Sequence, residues 1–211
     1  TVTMKNIYDA SHPIRVARFK ISDYHAKNRW LSVPEIILHS SNIGAAKMAI
    51  DVGTPGQQKY LRRLGLLDPA ELELPEIGKP LVPSPWRPIN TMTISYGHGI
   101  AVSSVQLANG ISSLVNGGIH RPATLMKVSN GASSGRRVLS DKTSLQMRRL
   151  MRLVVTNGTG RKADVPGYLI GGKTGTANKL RGRGYAKSSR IASFAGAFPM
   201  NDPRYTVLVV I

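Results

Sequence analysis

The sequence predicts an α+β fold in which a mainly helical part precedes an antiparallel sheet. Up to about residue 160, apolar residues recur at the three-to-four-residue spacing of amphipathic helices. After Gly160 they form short β-branched and aromatic runs instead, of which residues 205–211 are the longest. Because the strands follow the helices rather than alternate with them, we expect them to pair antiparallel. We assign residues 1–211 to a single partial domain, with residues 1–160 mainly helical and residues 161–211 forming the strands.

The first helices are predicted around a polar interruption. Residues 1–31 show no clear period and are expected to form loops with short extended pieces. Ser32-Val33-Pro34-Glu35 combines a capping residue, an early proline and a first-turn acid, which together predict a helix start. The apolar stripe from Ile36 is broken by His39-Ser40-Ser41-Asn42 and resumes at Ile43. This pattern predicts two helices joined by a tight polar elbow.

The later elements are predicted from start signals and from residue type. Thr54-Pro55, Ser103 or Ser104, and Ser140-Asp141 each precede a helical stripe, whereas residues 68–88 are rich in proline and acid and are expected to form a surface excursion. In the last helix we expect Arg148, Arg149 and Arg152 to face outward. Strands are predicted at residues 168–177, 191–198 and 205–211, the last of them buried.

Composition excludes several classes of function. The chain of 211 residues has no cysteine, which rules out disulfides, thiolate metal sites and cysteine nucleophiles. The five histidines show no paired ligand spacing, so we expect no metal and no cofactor. A net charge of +18 raises the question of nucleic acid, but the basic residues form no single tract and no nucleic-acid-binding motif is present. We therefore expect a solvated basic face and no nucleic-acid partner.

Lys173 admits two interpretations. Gly167, Gly172, Lys173 and Thr174 satisfy the pattern of a phosphate-binding loop. That loop needs small residues that curl around phosphate and a helix that begins at the lysine. Here the variable positions include Tyr168-Leu169-Ile170, and no helical stripe follows Thr174. We therefore expect Lys173 to lie in a strand.

A strand with the sequence Lys173-Thr174-Gly175-Thr176 suits a different ligand. At a sheet edge the lysine and the hydroxyls can reach a cleft, while Gly175 lets a ligand backbone approach, so the strand could receive an extended peptide and its carboxylate. Ser40-Ser41-Asn42, at the predicted elbow, is a second candidate motif. Taken alone, it is also explained by helix capping through Ser41 or Asn42.

Together and in this order, the Ser-x-Asn and Lys-Thr-Gly motifs resemble those of the penicillin-binding protein and serine β-lactamase family. Further stretches are similar to the monofunctional, class B penicillin-binding proteins: residues 96–100 leading into 103–110, Gly117-Gly118 with Arg121-Pro122, and residues 191–199. Within that class the division-specific peptidoglycan transpeptidases of Gram-negative bacteria are the most similar. The resemblance covers essentially the whole chain and implies their transpeptidase fold.

One family motif is missing. The family's nucleophile is the serine of a Ser-x-x-Lys motif upstream of Ser-x-Asn, and none of the serines in the 211 residues is followed by lysine at that spacing. We therefore expect a fragment truncated at both ends and inactive alone, in which Thr1 lies just beyond the helix of the nucleophile and the chain stops inside its last strand. The early strands and the membrane anchor of the full-length protein would also be absent.

The resemblance implies a serine-type D,D-transpeptidase. Its serine attacks the D-Ala-D-Ala stem peptide of peptidoglycan, forms an acyl-enzyme and passes the acyl group to a neighbouring amine; β-lactam antibiotics acylate the same serine. By carry-over, Ser40 would relay a proton to the leaving nitrogen, Asn42 would hold the substrate amide, and Lys173 would supply positive charge. Thr174, Gly175 and Thr176 would bind the substrate, with the two threonines contacting its carboxylate and the Thr176 backbone donating to the oxyanion.

The implied setting is septal cell-wall synthesis, on the periplasmic side of the inner membrane and alongside membrane proteins of the division machinery. Two alternatives remain open from the sequence. A non-catalytic module of the same fold could bind peptidoglycan or division partners, which the missing nucleophile favours. A β-lactamase or D,D-carboxypeptidase is the other, with Glu71, Glu73 and Glu76 as candidate deacylating acids by composition alone.

Overall fold

The computed structural model describes residues 2–17, 19–128, 135–181 and 184–211, without the side chains of residues 178–181 and 184–189. The chain divides into two compact units. The first comprises residues 1–61 and 81–101, and the second comprises residues 62–80 and 102–211. The assignment of residues 1–211 to one partial domain stays a prediction.

The first unit combines short strands with helices. Its elements are β1 (Ile7–Asp9), β2 (Ile14–Val16), β3 (Phe19–Ile21), β4 (Trp30–Ser32), α1 (Val33–His39), α2 (Asn42–Val52), most of α3 (Thr54–Arg63) and α4 (Pro88–Ile94). β1 pairs with β4 and β2 with β3, both antiparallel. Tyr8 and Leu31 face each other across the first pair and join Val33, Ile36 and Ile43 in one buried cluster. The short extended pieces predicted before residue 32 are confirmed.

The start of α1 is confirmed at its predicted position. The Ser32 backbone N–H and hydroxyl donate to the Glu35 carboxylate at 2.9 and 2.8 Å, which closes the first turn. Helix α4 was not predicted from the sequence. It is held by the fully buried Thr91, whose hydroxyl lies 2.6 Å from that of Thr54 and accepts the Trp86 indole N–H at 3.1 Å. Because the helix has only seven residues and its contact with Thr54 spans 37 positions, it leaves little trace in the sequence pattern.

The second unit carries two longer helices and the main sheet. Its elements are α5 (Ser104–Val115), β5 (Ile119–His120), β6 (Arg136–Arg137), α6 (Asp141–Asn157), a 3₁₀ turn (Arg161–Ala163), β7 (Gly171–Arg181), β8 (Gly184–Phe198) and β9 (Tyr205–Val210). β7, β8 and β9 form an antiparallel sheet in that order. Val115, Met151, Ala197 and Met200 form the core between helices and sheet. The predicted α+β class is confirmed.

Helices α5 and α6 begin at the predicted serines. Ser103 and Ser140 are their N-caps, and each hydroxyl accepts a backbone N–H three residues later, at 3.2 and 3.1 Å. Within the described part of the chain, no helix is both long and apolar enough to span a membrane.

The prediction that three arginines of α6 face outward holds only for Arg149, which is exposed. Arg148 Nη1 donates to the Asn201 carbonyl oxygen at 2.9 Å, in the turn between β8 and β9. Arg152 Nη1 donates to the Asp164 carboxylate at 2.7 Å and to the Ile170 carbonyl oxygen at 2.8 Å. Arg148 and Arg152 therefore bind α6 to the end of β8 and to the start of β7. Their long side chains can extend along apolar surface and place the guanidinium at these backbone carbonyls.

The prediction that residues 205–211 form a strand is confirmed for Tyr205–Val210, but the prediction that it is buried is wrong. Tyr205, Val207 and Val209 are exposed, whereas Thr206 and Leu208 are half-buried. β9 lies at one edge of the antiparallel sheet and alternates between a face toward α5 and an exposed face. A continuous β-branched run does not distinguish this arrangement from a strand covered on both faces.

Candidate functional site

The predicted elbow is confirmed between α1 and α2. Ser40 ends α1 in the left-handed region, with φ 55° and ψ 47°, and its backbone N–H donates to the Ile37 carbonyl oxygen at 3.3 Å. Ser41 is then the N-cap of α2, where its hydroxyl accepts the Gly44 N–H at 3.0 Å. The reversal leaves the Ser40 side chain exposed while Ser41 is buried.

Asp23 braces the elbow, and the sequence analysis missed it. The Ser41 hydroxyl donates to Asp23 Oδ2 at 2.7 Å, and the Ile43 backbone N–H donates to Asp23 Oδ1 at 2.9 Å. One carboxylate therefore supplies two acceptors at the positive end of α2. Asp23 lies in an irregular segment 18 residues before Ser41, so no local pattern connects the two.

Asn42 is also anchored. Its Nδ2 donates to the Ser22 carbonyl oxygen at 2.9 Å, which places the amide beside the segment that carries Asp23. Behind it, a Cβ on Gly44 would lie 2.5 Å from the Ile36 side chain, so only glycine lets α1 and α2 approach this closely. The elbow is thus fixed by hydrogen bonds on one side and by close packing on the other.

Lys173 lies in a strand, as predicted, but β7 spans Gly171–Arg181 and not the predicted residues 168–177. The strand runs from Gly171 through Thr174 to Arg181, so no helix begins at the lysine as a phosphate-binding loop requires. In the described sheet β7 pairs with β8, with Lys173 opposite Ala195, and it forms the edge away from β9. The other long side of β7 can therefore receive an added strand.

The Lys173 ammonium occupies a largely desolvated position. Nζ donates to the Thr174 carbonyl oxygen at 2.9 Å, and burial lowers the pKa of Lys173 from 10.5 to about 8. At neutral pH the side chain is still mostly protonated, but it gives up a proton far more readily than an exposed lysine. Such a group can both attract an anion and take part in proton transfer.

The residues beside Lys173 differ in accessibility. The Thr174 hydroxyl lies 2.7 Å from that of Thr159, in the turn after α6, while Thr176 is exposed. A Cβ on Gly175 would lie 2.6 Å from the Ser193 hydroxyl oxygen. Any larger residue at this position would therefore require the Ser193 side chain to move. These contacts leave Thr176 and the backbone at Gly175 as the accessible groups of the motif.

The site residues predicted from the sequence fall into both units. Ser40 and Asn42 belong to the first, and Lys173, Thr174, Gly175 and Thr176 to the second. That they form one site stays a prediction. Among the described residues, no group of three or more histidine, aspartate or glutamate side chains is placed to hold a metal ion.

Comparison with protein families identifies the chain. Residues 2–211 match the model of the penicillin binding protein transpeptidase domain, which is nearly the whole chain. The chain belongs to this family. The resemblance to penicillin-binding proteins, predicted from the two motifs and the further stretches, is thereby confirmed for this transpeptidase sequence.

Two curated relatives of this family member are named as peptidoglycan D,D-transpeptidases. It is 41% identical to the probable peptidoglycan D,D-transpeptidase FtsI of Caulobacter vibrioides, over 99% of this chain and 37% of the relative. It is 32% identical to the peptidoglycan D,D-transpeptidase FtsI of Escherichia coli, over 94% of this chain and 34% of the relative. The chain therefore spans about a third of the length of these relatives.

Solved structures match the transpeptidase fold directly. The transpeptidase domain of penicillin-binding protein 3 from Burkholderia pseudomallei superposes with a TM-score of 0.92 at 34% identity, covering 100% of this chain and 65% of that one. Penicillin-binding protein 3 of Mycobacterium tuberculosis, solved in complex with aztreonam, matches with a TM-score of 0.89 over 99% of this chain and 51% of that one. At 24% identity, the second match shows the fold alone.

Proposed function

We propose that the chain is part of a peptidoglycan D,D-transpeptidase that cross-links stem peptides during septal cell-wall synthesis and is acylated by β-lactams. The observation that carries this proposal is the position of Lys173 on an edge strand, beside Thr174-Gly175-Thr176. Burial there lowers the pKa of Lys173 to about 8. Membership in the family and the similarity to two FtsI proteins agree with it.

The proposed reaction has two acyl transfers. A serine of a Ser-x-x-Lys motif, upstream of Thr1 in the whole protein, attacks the carbonyl of the penultimate D-alanine. The peptide bond to the terminal D-alanine breaks, and that residue leaves as an amine after taking up the serine proton. The amine of a neighbouring stem then attacks the acyl-enzyme, forms the cross-link and returns a proton to the serine. With a β-lactam, the ring amide opens and the acyl group stays on the serine.

In this proposal Ser40 and Lys173 move the proton that the leaving nitrogen needs. A serine hydroxyl can accept a proton and donate another, so Ser40 can relay one from the neighbourhood of the lysine. The lowered pKa of Lys173 suits it to share that proton near neutral pH. Asn42 uses one amide hydrogen on Ser22, which leaves its oxygen and its other hydrogen for a substrate amide.

The substrate is proposed to lie along β7. The edge of this strand offers main-chain groups to an extended stem peptide, and Gly175 presents no side chain to block it. Thr174 and Thr176 would then contact the substrate carboxylate, with the Thr176 N–H as one donor to the developing oxyanion. The charge of Lys173 would stabilise both anionic groups.

The cellular setting is part of the same proposal. We place the domain on the periplasmic side of the inner membrane, with the whole protein membrane-anchored and working with membrane proteins of the division machinery. The stem peptide of peptidoglycan and the β-lactams are its proposed ligands, and no cofactor takes part. Support comes from the family match and from the kind of enzyme that its relatives are named as.

Labelling with fluorescent penicillin tests this proposal. We expect no label on the 211-residue chain after denaturing gel electrophoresis, because the nucleophile is not among its serines. A longer natural chain that includes an upstream Ser-x-x-Lys should be labelled, and replacing that serine by alanine should abolish the label. The longer chain should also join two stem peptides rather than only hydrolyse one.

Two outcomes would overturn the proposal in different ways. A longer chain that takes no label would favour a non-catalytic module that binds peptidoglycan or division partners. A labelled chain that releases D-alanine or opened β-lactam without forming cross-links would favour a hydrolase. Stable labelling of the 211-residue chain would show that the nucleophile is one of its own residues.

A further inference from the structure

The first unit contains an open cleft that the proposed reaction does not use. It has a volume of about 420 Å³ and lies between the β1–β4 ribbon, Ile14 of β2, the last turns of α2 and Met92 of α4. All of its lining residues belong to the first unit. Its size corresponds to that of a small ligand site or of one or two side chains.

The mouth of the cleft is apolar and exposed. Ile7, Trp30 and Ile50 line it with 60%, 58% and 42% of their surfaces accessible to solvent. Ile7 and Trp30 come from the paired strands β1 and β4, so the backbone holds them in place. Neighbouring large apolar side chains at the rim of a cavity are typical of a site that a partner covers.

The charges of the cleft are unusual for this chain. Two carboxylates, Asp9 and Asp51, line it with one ammonium, Lys47, in a protein whose net charge is +18. Lys47 interacts with Asp9: its Nζ donates to the Asp9 carbonyl oxygen at 2.6 Å and lies 3.8 Å from the Asp9 carboxylate. Of the described residues, none forms an ion pair with Asp51, whose Oδ2 accepts the Tyr8 hydroxyl at 2.8 Å.

Tyr8 is suited to keep Asp51 oriented. Burial, with the hydrogen bond to Asp51, raises the pKa of Tyr8 to about 12, so the phenol stays neutral and donating under physiological conditions. The bond engages Oδ2, and the Asp51 residue is exposed in the cleft that Trp30 also lines. An oriented carboxylate and an exposed indole in one cleft together favour an organic cation, through ionic and cation–π attraction.

We propose that this cleft binds a segment of a partner protein that presents an arginine or lysine flanked by apolar residues. The cation would contact Asp51 and the face of Trp30, and the apolar neighbours would cover Ile7 and Ile50. Charge complementarity favours this occupant, because two carboxylates and one ammonium line the cleft in a chain whose net charge is +18. The three exposed apolar side chains, Ile7, Trp30 and Ile50, favour a peptide segment with apolar neighbours over a single small cation.

Titration of a blocked tripeptide, with arginine between isoleucine and leucine, tests the proposal in the 211-residue chain. Replacing the arginine by the isosteric but neutral citrulline should weaken binding by about tenfold. The emission of Trp30, one of two tryptophans, should shift to shorter wavelength on binding, and the shift should be absent in Trp30→Leu. Calorimetry gives the affinity independently of fluorescence.

Matched variants locate the site. Asp51→Asn keeps the acceptor for Tyr8 and should weaken the arginine peptide by about tenfold, with no effect on the citrulline peptide. Glu76→Gln removes the same charge from an exposed position of the second unit and should leave the affinity within about twofold. Thermal unfolding confirms that each variant is folded before titration.

Three results would overturn the proposal. Equal affinity for the arginine and citrulline peptides would show that the cleft does not recognise the positive charge. Equal weakening by Asp51→Asn and Glu76→Gln would show that only net charge matters. If blocked arginine alone bound as tightly as the tripeptide, the ligand of the cleft would be a small cation and not a protein segment. None of these outcomes depends on transpeptidase activity.

Discussion

The Asp23 carboxylate holds Ser41 and the first turn of α2 together: the Ser41 hydroxyl donates to it at 2.7 Å, and the neighbouring Ile43 N–H donates to it at 2.9 Å. Ser40 immediately precedes this bonded pair and is exposed. The position of the candidate proton relay therefore depends on a carboxylate outside the motif. We therefore infer that Asp23 acts as a positioning residue for the elbow.

Removal of this carboxylate should destabilise the chain. We expect Asp23→Ala to lower the free energy of unfolding by about 2 kcal/mol, because the buried Ser41 hydroxyl and a helix N-terminal N–H both lose their acceptor. Urea unfolding measures the change. Asp202→Ala, in an exposed turn where Asp202 pairs with Arg204, is the control and should cost less than about 1 kcal/mol. Equal costs for the two variants would contradict the role of Asp23.

Two glycines of β7 should respond differently to alanine. At Gly172 a Cβ would lie 2.3 Å from the Phe194 ring and 2.8 Å from the Ala195 carbonyl oxygen, so we expect Gly172→Ala to cost about 2 kcal/mol. At Gly175 the close atom is the rotatable Ser193 hydroxyl, so stability should change by less than about 1 kcal/mol. In the longer, penicillin-labelled chain, Gly175→Ala should still slow acylation. Normal acylation would show that no ligand backbone approaches Gly175.

The lowered pKa of Lys173 predicts a specific pH dependence of stability. Its pKa is about 8 in the folded chain against an ordinary 10.5, so between these values the unfolded chain binds more protons and stability rises with pH. Relative to Lys173→Met, the native chain should therefore gain up to about 3 kcal/mol in its free energy of unfolding from pH 8 to pH 10.5. Denaturant unfolding at a series of pH values measures this difference. If the free energy of unfolding changed with pH in the same way for both proteins, the lowered pKa of a buried Lys173 would be contradicted.

The proposed site predicts a distance between its two halves. In a crystal structure of the longer chain, we expect the Ser40 hydroxyl oxygen within about 4 Å of Lys173 Nζ, with Asn42 facing the same cleft. In that protein Lys173→Ala should slow acylation by about a hundredfold or more, while the control Lys142→Ala, at the exposed start of α6, should not. A separation above about 10 Å in an otherwise ordered structure would end the assignment.

The elements that the sequence predicted well are those with local signals. The start of α1 follows from Ser32 and Glu35, which bond each other, and the elbow follows from a polar break in an apolar stripe. The strand at Lys173 agrees with the lack of a helical stripe after Thr174, although Tyr168-Leu169-Ile170, which also favoured a strand, lie ahead of β7. In each case the signal that predicted the element is a local pattern of residue types.

What the sequence could not predict depends on contacts between distant residues. Asp23 reaches Ser41 from an irregular segment, and Arg148 and Arg152 turn from an apparently solvent-facing row onto backbone carbonyls. The exposure of β9 is set by strand order, which its composition does not encode. Side-chain direction and sheet position are tertiary properties, and a one-dimensional pattern leaves both undetermined.

The contact of Arg152 with the Ile170 carbonyl has an evolutionary consequence. Arg152 also binds Asp164, so one guanidinium closes the exposed loop of residues 165–169 at its base and fastens its far end directly ahead of β7. Insertions or deletions inside that loop need not be transmitted to the strand, since flexible surface loops tolerate changes of length at small cost. Related domains can thus vary in this loop while Lys173 keeps its place.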